Sequence, residues 1–170
     1  NLFQTISTKE IEAFLDSQRG VLKNFKGLDN GKYRNGAEIV NDASWGSRGK
    51  GPIDQRILLV LLELESHAIT DPNADIVEVQ WIIHISEEAF LNQNRDTLAS
   101  EKFRMQLDAK ILEVQLNYAT NQILNSHDDS STTLIFGDGS KLDLSFNASY
   151  VTKETFALQK VMADIADSRE

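Results

Sequence analysis

Residues 58 to 72 read LLVLLELESHAITDP, and within them Glu63, Glu65, Ser66 and His67 follow an aliphatic run and precede a helix-stopping Thr-Asp-Pro. A carboxyl group at the end of an apolar helix is partly withdrawn from water. Withdrawal favours its protonated form and suits it to proton donation in general acid catalysis. On a helix turning about 100° per residue, Glu65 falls beneath Leu58, Leu61 and Leu62, on the stripe that faces a core. Glu63 falls about 200° away, beside Arg56, Leu59 and Val60, so the two carboxylates cannot act as a tight pair. Glu65 is therefore the candidate acid, and Glu63 is expected at the surface in a column with Arg56. The alternative for Glu65 is a capped or salt-bridged helix end without chemistry.

Other strings offer less. His67 and His84 lack a second histidine four residues on, and the chain has no cysteine, so neither a metal site nor a cofactor is expected. GSRGKG lacks the order of a phosphate loop, and DNGKYRNGAE places Tyr33 and Arg34 where a calcium loop needs ligands and glycine. Asn147-Ala-Ser is a chance-level glycosylation sequon.

The elements that must position Glu65 are mainly helical. Thr8 can cap a helix over KEIEAFLDSQ, with Ile11, Phe14 and Leu15 on one face and Gly20 ending it. FKGLDNGKYRNG reads as a loop, and AEIVNDASW as a second helix with Ile39, Val40 and Ala43 inward. After the connector GSRGKGP, residues 53 to 67 are expected to form the central, most buried helix, started by Pro52 or capped by Asp54. ADIVEVQWIIHISEEAFLNQ reads as helix, and so does the stretch from Ser100, with Phe103, Leu107, Ile111, Val114, Tyr118 and Ile123 as its buried stripe. A hairpin over about 132 to 146, turning at Gly137 to Gly139, and a last helix, KETFALQKVMADIAD, close the chain.

Composition bounds the function classes. One domain over 1–170 is expected, long enough to bury a core without staples. The 17 basic and 26 acidic residues leave a net charge of −9, which repels a polyanion, so nucleic acid is not an expected partner. No apolar run approaches the roughly 18 residues of a membrane span. No signal peptide is visible, and the chain starts at Asn1 rather than Met, as a processed or trimmed chain would.

ILLVLLELESHAITDPNA resembles the catalytic-glutamate helix of the lytic transglycosylase and goose-type lysozyme superfamily. There an aliphatic helix ends in Glu-Ser, and a short turn often containing Asn-Pro follows. Glu65-Ser66 and Asp71-Pro72-Asn73 match in order, with Pro and Asn transposed. FLDSQRGVLKNF, then GAEIVNDAS, then IDQRILLVLLELES resemble the opening of a bacterial extracellular lysozyme-like domain sometimes attached to wall peptidases, and LIFGDGSKLDLSFNASYVTKETFALQKV resembles its closing hairpin and last helix. Together these stretches cover about half the chain. The Gly-Leu-Met-Gln type segment that shapes the sugar cleft in transglycosylases has no counterpart, since residues 74 to 90 contain no glycine.

The resemblance implies a mainly α, lysozyme-like helical domain with one small β-hairpin, located outside the cell or in the cell envelope. It implies cleavage of peptidoglycan by a single glutamate, as a lytic transglycosylase or muramidase, with Glu65 catalytic. Ser66, Gln80 and Trp81 would contact the glycan, Ser66 orienting the carboxylate or the substrate and Trp81 stacking on a sugar ring. The alternative is a non-catalytic module of the same fold that binds peptidoglycan, another glycan or a protein partner. A third reading is a helical interaction protein in which Glu65 is structural.

Overall fold

The computed structural model describes residues 5–29, 31–46, 52–75, 107–126, 131–135 and 141–145, together with Ala157 and Gln159. The helix expected after Asp75, with Gln80 and Trp81, lies outside the described residues, as do Phe103 and the turn at Gly137 to Gly139. Of the closing helix, Ala157 and Gln159 are described, and both are helical.

The chain is mainly helical. Helix α1 (Thr8–Ser17) starts at Ser7, one residue before the expected cap. The Ser7 side chain accepts from the Glu10 backbone N–H while the Glu10 carboxylate accepts from the Ser7 N–H, a reciprocal capping box. The Ser7 N–H and then the Ser7 hydroxyl, both donating to the Glu10 carboxylate, hold its carboxyl below the ordinary pKa. Ile11 and Leu15 are buried, but Phe14 is 42% exposed and stands off the apolar stripe. A 3-10 turn (Val21–Asn24) leads into strand β1 (Lys26–Asp29), which pairs antiparallel with β2 (Lys32–Asn35). Asn35 then caps α2 (Gly36–Ala43), in a second capping box with Glu38, and Ile39, Val40 and Ala43 are fully buried as expected.

The segment expected as a loop is thus a hairpin. Its register opposes Asp29 to Lys32, and Gly31 before Lys32 has φ 81°, the positive φ that a tight hairpin turn asks of glycine.

Helix α3 (Gln55–Ser66) is capped by Asp54, whose carboxylate accepts from the Arg56 N–H. Leu58, Leu59, Leu61 and Leu62 are buried, yet Val60 and Leu64 are each 51% exposed. An all-round apolar helix was expected to be enclosed; this one leaves a strip one turn apart open to solvent.

Helix α4 (Leu107–Ser126) packs across β1 and α2. Its buried stripe runs through Ala109, Leu112, Leu116, Ala119 and Ile123, alternating steps of three and four. Ile111 and Ile123 are buried as expected, but Tyr118 is 43% exposed and Val114 only half-buried, because the stripe is centred on Leu112 and Leu116, with Ala109 and Ala119 beside them. These residues join those of α1, α2 and α3 in one core. Arg34 fastens the assembly, its guanidinium bonding Glu113 of α4 at 2.7 Å and Asp42 of α2 at 2.6 Å. Strands β3 (Ser131–Ile135) and β4 (Lys141–Ser145) form the expected antiparallel hairpin, Ile135 opposite Lys141.

Ala109 of α4 meets a glycine. A Cβ on Gly27 would lie 2.4 Å from both N and Cβ of Ala109, so β1 approaches α4 only because residue 27 has no side chain. Gly27→Ala is expected to cost about 1–3 kcal/mol, as overpacking does in a filled core, read as a lower urea midpoint. An unchanged midpoint would mean that β1 can retreat from α4 freely.

Candidate functional site

The C-terminal end of α3 is held by the chain on both sides of it. After Ser66 the backbone turns at His67, the one described non-glycine residue with positive φ (52°), and the His67 N–H donates to the Glu63 carbonyl. A histidine tolerates this left-handed conformation better than most residues do. The chain then folds back, with Ala68 and Ile69 buried and the Asp71 N–H donating to the His67 carbonyl. This returning segment is tied to the stretch after α1. Gly20, Leu22 and Val21 donate backbone N–H groups to the carbonyls of Ile69, Ala68 and Asp71, at 2.7, 3.0 and 3.2 Å respectively. Gly20 is required there, since an added Cβ would stand 2.2 Å from the Ala68 oxygen. Its expected role as helix terminator is taken instead by Gln18.

Glu63 is the carboxylate that closes this turn. Its Oε2 accepts from the N–H groups of Ile69 and Thr70 at 3.1 and 3.2 Å, and its Oε1 accepts from the Thr70 hydroxyl at 2.5 Å. His67 Nδ1 stands 3.8 Å from the same Oε1. The expected column of Glu63 with Arg56 is therefore replaced. Arg56 grips the cap Asp54 through Nε and Nη2, which raises the guanidinium pKa further, while Glu63 belongs to the turn. Hydrogen bonds that end on a charged acceptor are worth about 1.5–3 kcal/mol. Glu63→Ala is expected to lower stability by about that amount and to speed hydrogen exchange at the Ile69 and Thr70 amides above all. Uniform exchange rates across the two proteins would mean that the turn holds without Glu63.

Glu65 occupies the other side of the helix. It is half-buried at the foot of the buried Leu58, Leu61 and Leu62, and one of its carboxylate oxygens is shielded from solvent. The separation of Glu63 and Glu65 is the one their spacing requires. A carboxyl held partly out of water is the kind of group from which general acid catalysis is built.

Ser66 has a different place from the one expected of it. It is 4% exposed, and its hydroxyl donates to the Leu62 carbonyl one turn back at 2.8 Å, so it is turned into the helix rather than toward a ligand. The other expected glycan contacts, Gln80 and Trp81, lie outside the described residues.

Clefts lined by described residues include two that Glu65 does not border. One, of about 380 Å³, is lined by Arg19, Gly20, Val21, Asn24, Phe25, Lys26 and Pro72. The other, of about 180 Å³, lies between α1 and the start of α2 and includes Glu12, Asp16, Lys23 and Asn35. The first was not foreseen. Its cations come from segments on either side of the 3-10 turn, and no spacing rule places Arg19 beside Lys26.

Comparison of the chain with protein-family models, with curated proteins and with solved structures found no match. Among the described residues, no helix is long and apolar enough to cross a membrane.

Proposed function

We propose that this chain is a lysozyme-like domain of the bacterial cell envelope or exterior that cleaves the β-1,4-glycosidic bonds of peptidoglycan, with Glu65 as its acid and base. The observation that carries the reading is the division of labour at the end of α3. Glu63 closes the turn through three hydrogen bonds on one side of the helix, and on the other side Glu65 is half-buried on the stripe of Leu58, Leu61 and Leu62 with one oxygen shielded. The same Glu65-Ser66 pair carries the resemblance to the lytic transglycosylases and goose-type lysozymes.

On this reading the Glu65 carboxyl gives its proton to the bridging oxygen as the glycosidic bond breaks. The resulting carboxylate then removes a proton either from the sugar's own 6-hydroxyl, which closes an anhydro ring, or from water, which leaves a reducing end. The neighbouring acetamido group of the sugar can stabilise the cationic centre, so a second protein carboxylate is not required. Glu63 contributes by keeping the helix end in place.

A non-catalytic module of the same fold, binding glycan or a protein, is the second reading. It is favoured by the inward hydroxyl of Ser66. Purified protein incubated with isolated wall material separates the two. Soluble saccharide released by wild type and not by Glu65→Gln supports cleavage, whereas retention on the wall without release supports the module.

A further inference from the structure

The larger described cleft has a composition at odds with the chain as a whole. The protein carries 26 acidic against 17 basic residues, yet Arg19 and Lys26 both line this cleft and no carboxylate does. Neither cation forms an ion pair among the described residues, in contrast to Arg34 and Arg56. The smaller cleft, by comparison, mixes Glu12 and Asp16 with Lys23. Asn24 adds a side-chain amide to the first, and Phe25 and Pro72 give it an apolar wall. A volume of about 380 Å³ is within the range of small-molecule sites and suits a group the size of one sugar or a dipeptide.

We infer that this cleft binds a carboxylate carried on a small organic group. The guanidinium of Arg19 and the ammonium of Lys26 would hold the oxygens, Asn24 would donate beside them, and the carrier would lie against Phe25 and Pro72. Arginine supplies the planar paired donors that a carboxylate matches, and lysine adds a movable charge. Position supports a ligand shared with the α3 end. The cleft is lined by Gly20 and Val21, whose N–H groups donate to the carbonyls of Ile69 and Asp71 in the segment that follows α3. If the wall reading holds, the carboxylate is that of a wall peptide or of the lactyl group on muramic acid, and this identification rests on that reading.

The test is an NMR titration of the isotope-labelled full chain. The probes are N-acetylmuramic acid and N-acetyl-D-alanyl-D-alanine, each beside its methyl ester, with inorganic phosphate as a carrier-free anion. The acids, or one of them, should move the amides of Gly20, Asn24 and Lys26, and the esters should not. An Arg19→Gln/Lys26→Gln double variant should weaken binding by at least about tenfold. Response to one acid alone supports the inference and names the source. Equal binding of acid and ester, phosphate binding as tightly as the acids, or no shift at these amides would overturn it. The ester comparison stands even if the double variant fails to fold. Because no step requires cleavage, binding without wall release would sink the enzymatic reading alone, and release without binding would sink this one alone.

Discussion

Glu65→Gln is expected to lower release of soluble saccharide from wall material by about 10²–10⁴-fold, the range over which a positioned acid or base accelerates proton transfer. The substitution keeps the size and shape of the side chain and removes the proton that the leaving oxygen needs. Melting should therefore move little, because Glu65 is half-buried rather than enclosed. Glu63→Gln is the informative companion. Its amide oxygen can still accept from the Ile69 and Thr70 N–H groups with its NH2 toward the Thr70 hydroxyl, but without the charge, so its effect should appear first in stability and in the turn. Compared at equal folded fraction, Glu63→Gln should retain most of the activity that Glu65→Gln loses. Equal losses in the two variants would mean that the helix end acts as a structural unit and that no proton passes through Glu65.

Leu61→Ala should be the most damaging of the stability changes, costing about 2–5 kcal/mol as a large-to-small truncation in a packed core. Leu61 is 1% exposed and belongs to the cluster that gathers α1, α2, α3 and α4. Val60→Ala, on the adjacent residue, should change stability by no more than about 0.5 kcal/mol, because Val60 is half in water and alanine favours helix. Urea denaturation of the two variants measures the asymmetry of α3 directly. Similar midpoints would mean that the helix is buried on both sides after all.

The parts of this fold that were legible in the sequence are those governed by local rules. The apolar spacing of Ile39, Val40 and Ala43 marked α2, Asp54 marked the start of α3, and alternation marked β3 and β4. The β1–β2 hairpin was also written locally, in Asn30-Gly31, but its strands are short and lack an apolar alternation to draw the eye. The register of α4 was harder to read because its stripe includes Ala109 and Ala119 beside Leu112 and Leu116, and small residues declare themselves only through what packs on them, as Gly27 does on Ala109. The same limit applies to the candidate site. Helical angle alone separated Glu63 from Glu65, but the partners of Glu63 are backbone groups of a turn that closes six and seven residues later. Nor could spacing tell that the Ser66 hydroxyl would satisfy itself on Leu62, or that Arg34 would reach Glu113 on a helix far along the chain.

The central claim is that Glu65 moves a proton during cleavage of wall glycan, and the masses of the products test it most directly. Wall material digested by wild type should yield saccharide fragments severed at β-1,4 bonds, ending either in a reducing sugar or in an anhydro sugar lighter by one water, and the Glu65→Gln digest should lack them. Fragments severed elsewhere, or the same fragments from both proteins, would contradict the account.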